Sequence, residues 1–144
     1  RPGQGPFIWG NIGGKPDTIT MQVQGNTTRD IEVTPFYMIR TPNLTQAAGT
    51  VTGTFKIEKI ITGPDEKNIE RAALFVNKTM FVGVDNNIAR ADVTGANIAD
   101  PNNVSLNVNI PNISPAQNYV FARIGVKAAG VEDWIFTPVQ KIQF

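Results

Sequence analysis

An all-β chain built around an Ig/fibronectin-like β-sandwich is what the sequence predicts, on three observations. Ile and Val together number 29 against three Leu, and β-branched side chains, stiff at χ1, pack well on pleated sheets. Apolar and polar residues alternate with period two in several segments, which sets one face of each segment against a core and the other toward water. Clusters of Gly, Pro, Asn and Asp separate these segments at a spacing that favours an aligned sandwich over a barrel.

The first segment is "TITMQVQ", with Ile19, Met21 and Val23 on one face and Thr20, Gln22 and Gln24 on the other. "GNTT" follows as a turn, since Gly25 and Asn26 accept positive φ, and "RDIEV" returns as the second strand of a hairpin. Pro35 then interrupts the alternation before "FYMIR" resumes it. Proline lacks the amide donor of a central strand and holds Thr34 extended, so it suits a crossover between two sheets or two domains. The expected division is therefore residues 1–35, a hairpin too small to bury a core alone, and residues 36–144, the sandwich.

In "GTVTGTFKIEKI" the inward face carries Val51, Phe55 and Ile57, with Gly53 among them so that a bulky neighbour or another backbone can come close. The pair Ile60 and Ile61 breaks the register after Lys59 and predicts a bulge or a change of sheet. "IERAALFVNKTMFVGV" is ambiguous at its start, where Ala72, Ala73 and Leu74 favour helix and Phe75 and Val76 favour strand. Its length between polar turns predicts two strands around "NKT". "DNNIARADVTGANIADPNN" reads as a long surface connection holding one short strand. "VSLNVNI" is the cleanest alternation, with Val104, Leu106, Val108 and Ile110 inward. In "YVFARIGVKA" Val120, Ala122, Ile124 and Val126 form one face and Tyr119, Phe121 and Arg123 the other, so both faces are expected to be partly covered. Pro138 in "DWIFTPVQKIQF" makes the last strand an edge or splits it at a bulge. About seven strands follow Val51.

Composition limits the chemistry. A chain of 144 residues buries one ordinary core or two small ones. Its net charge of +1 comes from 13 scattered Lys and Arg against 12 acids, not from the concentrated basic face that nucleic acid requires. Cys and His are both absent, which removes disulfides, thiolate metal sites, the usual zinc ligands and the Ser-His-Asp and Cys-His arrangements. Any catalysis would run on carboxylates, Lys or Tyr, and a glycosidase needs two carboxylates converging across a cleft, which the sequence does not show. The expectation is a non-enzymatic protein with no cofactor. No apolar run approaches 18 residues, and "RPGQGPFIWG" lacks the order of a signal peptide, so either a cytoplasmic protein or the removal of a leader is expected.

Three motifs have a functional and an ordinary reading. Five N-x-[ST] sequons, at Asn26, Asn43, Asn77, Asn103 and Asn112, match what chance supplies in a chain rich in Asn and Thr. Asp85, Asn86 and Asn87, and Asp100, Asn102 and Asn103, form oxygen-rich loops without EF-hand spacing, which favours turn chemistry over Ca²⁺ and assigns no metal. "DTI" resembles a short bacterial acceptor pattern for O-glycosylation at Thr18.

The run "GPFIWGN…DTITMQVQGNTTRDIEVTPFYMI" is similar to the domain junction of an uncharacterised family of Bacteroidetes surface lipoproteins, and "YVFARIGVKAAG…DWIFTPVQKIQF" resembles the end of that family's C-terminal β-sandwich. The resemblance implies that residues 1–35 are the last strands of an upstream carboxypeptidase-regulatory-like domain. It also implies a lipid anchor upstream of Arg1, a place at the outer-membrane cell surface, and SusC/SusD-like partners in a glycan-uptake system. A polysaccharide ligand would need exposed aromatic rings for stacking with polar groups nearby. Trp134 with Asp133, Tyr119 and Trp9 are the candidates. Trp134 leads, because "AAGVEDWIF" sets it after a Gly-containing turn, beside two acids, near an expected end of the sandwich. The alternative reading is a structural spacer or protein-interaction module whose tryptophans fill a core.

Overall fold

The computed structural model describes residues 5–8 and 20–144. Among these the regular structure is ten strands and one 3-10 turn, Gly95–Asn97. The strands are β1 (Phe7–Ile8), β2 (Thr34–Pro35), β3 (Tyr37–Ala47), β4 (Thr50–Lys59), β5 (Ile69–Asn77), β6 (Ala89–Thr94), β7 (Val104–Asn109), β8 (Tyr119–Ala128), β9 (Ile135–Phe136) and β10 (Gln140–Gln143). One sheet has the order β3-β4-β7, and a larger one has the order β10-β8-β5-β6 with β9 also on β8. All pairings are antiparallel.

Period-two alternation explains how the two sheets meet. Val51, Phe55 and Ile57 of β4 and Val104, Leu106 and Val108 of β7 point inward from the smaller sheet. Leu74 and Val76 of β5 and Val120, Ile124 and Val126 of β8 answer from the larger one. Gly53 has the predicted role: a Cβ there would lie 3.1 Å from Leu44 and 3.3 Å from Leu74, so its missing side chain is the space Leu74 fills. The solvent face of the smaller sheet is polar, with cross-strand hydrogen bonds from Thr50 to Asn109 and from Thr52 to Asn107.

The helix-or-strand ambiguity at residues 69–77 resolves as strand. β5 lies between β8 and β6 and buries Ala72 to Val76 on both faces, which is why its sequence does not alternate. The register break after Lys59 ends β4, and the carbonyl of Phe36 accepts the amide of Ile60 at 3.0 Å. The short strand expected in the long connection is β6. Pro138 splits the last strand into β9 and β10. Between them the Thr137 hydroxyl accepts the Ile124 amide at 3.0 Å and keeps the ladder satisfied.

Two expectations need correction. "MFVGV" is not a strand but part of a loop, because two asparagine side chains take the carbonyls a strand partner would have used, as described below. Residues 20–33 hold a bend at Gln24–Asn26, with Gly25 at φ 79°, where the hairpin turn is predicted, yet none of these residues is in a strand. Met21, Val23, Ile31 and Val33 are exposed, so no described residue covers the apolar face, and a lone hairpin is marginal in water; Ile19 of the same face lies outside the described residues. Pro35 itself pairs with Phe7 in the β1–β2 ladder, and Phe36 and Tyr37 directly after it are buried in the core.

Candidate functional site

β5 and β8 carry a second set of side chains on the face turned away from the smaller sheet. Ala73 and Phe75 of β5 form an outer cluster with Val82, against which Phe121, Trp134 and Phe136 pack. Apolar side chains on an outer face need a cover, and here the cover is small: β9 and the loop between β5 and β6. Gly125, outward on β8, makes room for β9's rings. A Cβ there would lie 2.8 Å from Phe136 and 3.0 Å from Trp134.

The loop after β5 is shaped by polar side chains. Asn77 is buried at the strand end and donates through Nδ2 to the carbonyls of Phe81 at 2.6 Å and Asn86 at 3.3 Å. Asn87 donates to Gly83 at 3.0 Å and Val84 at 2.9 Å. Both amides act as substitutes for backbone donors. Val82 is thereby buried against the sheet, while Met80 and Phe81 are exposed at 64% and 75%. The "DNN" segment thus does turn chemistry. So does "DPNN", where the Asp100 carboxylate accepts the Asn102 amide at 2.9 Å. Asn77, a sequon asparagine, is itself only 9% exposed.

Between this loop and the Glu132–Phe136 segment lies an open cleft of about 660 Å³, within the usual size range of small-molecule sites. Trp134, Phe136 and Arg123 line it at half-buried positions, and Glu132, Asp133 and Asp85 are exposed around it. The indole of Trp134 meets Phe75 edge-on at 5.6 Å and lies nearly parallel to Phe136 at 6.2 Å. Each geometry suits the aromatic quadrupole. The Arg123 guanidinium sits 3.8 Å from the centre of the Phe136 ring. Burial pushes its pKa down from the ordinary value.

Trp134 and Asp133 therefore come together in one cleft, on the outer face of the larger sheet instead of the end of the sandwich. Tyr119 lies on the same face of β8 but is not among the residues around the cleft. Its ring meets Phe121 edge-on at 5.8 Å, and the Lys141 ammonium covers it at 4.1 Å. Trp9 lies outside the described residues. Sequence reasoning missed Arg123, Met80, Phe81 and Phe136. A signal for Arg123 was present, a lone cation between Phe121 and Gly125 on a half-covered strand face.

The fold and cleft define a class: a two-sheet β-sandwich whose larger sheet bears an open aromatic cleft on its outer face. The chain belongs to the DUF3823 family, whose model, described as "Domain of unknown function (DUF3823_C)", matches residues 37–141. A crystal structure of a DUF3823 family protein from Parabacteroides merdae is similar at 30% identity and TM-score 0.77, covering 99% of this chain and 67% of that one. Another from Bacteroides ovatus, at 23% identity and TM-score 0.78, covers 99% and 71%. A Bacteroides uniformis structure described as a "putative carbohydrate binding protein" shares the fold at 19% identity and TM-score 0.61, covering 81% of this chain and 60% of that one. No curated protein matches the sequence.

Proposed function

We propose that the cleft is a carbohydrate-binding site and that the protein is a non-enzymatic accessory of a cell-surface glycan-uptake system. The observation that carries this reading is the meeting of Trp134 with Glu132, Asp133 and the exposed Phe81 around one open cleft. One face of a pyranose ring presents C–H groups that stack on an indole, and carboxylates accept hydrogen bonds from its hydroxyls. Platform and orienting groups arrive on one short segment, held in place by β9. The fold shared with the Bacteroides uniformis protein described as carbohydrate-binding adds weak support. The resemblance of the N-terminal run to a lipoprotein domain junction supports the rest of the proposal. On it, residues 1–35 close a carboxypeptidase-regulatory-like domain, a lipid anchor upstream holds the protein to the outer membrane, and SusC/SusD-like proteins are its partners.

Native electrophoresis through gels containing a panel of bacterial-diet polysaccharides tests the binding site. The parent protein is retarded by at least one of them, and Trp134→Ala loses that retardation while still unfolding cooperatively on heating. A variant retarded as strongly as its parent would remove Trp134 from the site. A parent retarded by none of the gels would leave the spacer or interaction-module reading.

A further inference from the structure

Arg123 makes no ion pair and no side-chain hydrogen bond with any described residue. Its Nε is buried without a partner, and its guanidinium carbon stands 3.8 Å from the centre of the Phe136 ring. Arg123 is one of the residues that line the cleft. Gly83 opposite leaves its terminal nitrogens room: a Cβ there would stand 3.0 Å from Nη2. A half-buried guanidinium held against a ring, with both terminal amino groups free of acceptors among the described residues, suits a planar anion, and the match is a carboxylate taken by two parallel N–H···O bonds. The three carboxylates nearby are placed differently. Asp85, Glu132 and Asp133 are exposed at the rim, where solvent and salt screen them, and they can accept from hydroxyls.

Resting on the carbohydrate-binding reading, we propose that the sugar taken by this cleft is a uronic acid, its carboxylate held by the terminal nitrogens of Arg123 and its ring stacked on Trp134. The arrangement fits one carboxylate per sugar unit, with hydroxyl donors directed outward to the acidic rim. A chain dense in sulfate esters would instead meet three like charges.

The experiment is affinity electrophoresis of the parent protein in three polyuronates (polygalacturonate, alginate and hyaluronan), in their carboxyl-reduced neutral counterparts, and in dextran sulfate. Retardation by at least one polyuronate, about ten- to a hundredfold weaker in its reduced counterpart, is the expected result. It needs no variant. Arg123→Gln should lose binding to a similar degree, and Arg123→Lys, which keeps the charge but not the fork, should recover only part of it. Equal retardation by acidic and reduced forms would overturn the uronate proposal and leave carbohydrate binding standing. So would retardation by neutral gels alone. Binding to dextran sulfate as strong as to the polyuronates would overturn it in favour of plain ion exchange. Undiminished binding by a folded Arg123→Gln would overturn the role of Arg123. Absence of retardation in every one of these gels would overturn this inference, while the wider polysaccharide panel decides the carbohydrate-binding reading separately.

Discussion

The two faces of the larger sheet are made by the same strands and differ in nearly every other respect. Its inner face is aliphatic and sealed: Leu74, Val120 and Ile124 show no exposure at all. Its outer face is aromatic, carries a cation, and is covered by a loop and a two-residue strand. Inward, branched aliphatic side chains interdigitate with a second sheet and provide the bulk of the apolar burial. Outward, large flat rings reach past the sheet and leave a cleft, because among the described residues no second sheet presses on them. Alternation along β5 and β8 thus divides one sequence between a sealed aliphatic core face and an open aromatic one.

Substitutions can separate the two faces. The largest effect should come from Leu74→Ala on the inner face, at about 3–5 kcal/mol by chemical denaturation. The upper part of the usual range applies because Gly53 beneath Leu74 has no side chain with which to fill the cavity. Gly125→Ala on the outer face should cost about 1–3 kcal/mol, since its new methyl drives into Phe136 and Trp134, which must shift. Tryptophan fluorescence should change with it, whereas Leu74→Ala should leave the emission of the folded state nearly unaltered. If Gly125→Ala is silent in both stability and fluorescence, the rings are not held against β8 as described.

A smaller effect belongs to Tyr37, buried at the core's edge with its hydroxyl donating to the Lys67 carbonyl. Tyr37→Phe should cost about 1 kcal/mol. Burial first, and the Glu66 charge second, hold its phenol above the usual 10.0. The folded state thus favours the neutral phenol. The resulting stabilisation is complete below about pH 10 and is lost as pH rises through the folded-state value. An alkaline unfolding midpoint that does not move in Tyr37→Phe would refute this. The least effect should be at Arg40 and Glu58, an exposed pair 2.6 Å apart on the smaller sheet. Arg40→Gln should change stability by less than about 0.5 kcal/mol.

The inner face was legible in the sequence because its signal is local. Val104, Leu106 and Val108, or Val51, Phe55 and Ile57, announce a buried face by period two alone. The outer face was only half legible. Trp134 and Asp133 could be nominated from "GVEDW", but their neighbours Phe81 and Arg123 lie 53 and 11 positions away, and it is the β5–β8 pairing that sets the loop after β5 beside Arg123. "MFVGV" misled because its apolar character reports a loop pinned to the sheet through Val82, and the hydrogen bonds of Asn77 and Asn87 that pin it have no periodicity. Met21, Val23, Ile31 and Val33 misled in the other direction. They alternate as a strand would, yet nothing among the described residues packs on them. Tyr119, nominated as a stacking ring, is spent on Lys141.

The central proposal is that carbohydrate recognition takes place on the outer face of the larger sheet. Backbone amide chemical-shift mapping of the parent protein, titrated with oligosaccharides cut from whichever polysaccharide retards it, tests this most directly. Perturbations should concentrate at residues 80–86, 123 and 132–136 and leave β3, β4 and β7 unmoved. Saturable shifts centred on the smaller sheet or on residues 20–33, with the cleft silent, would contradict it.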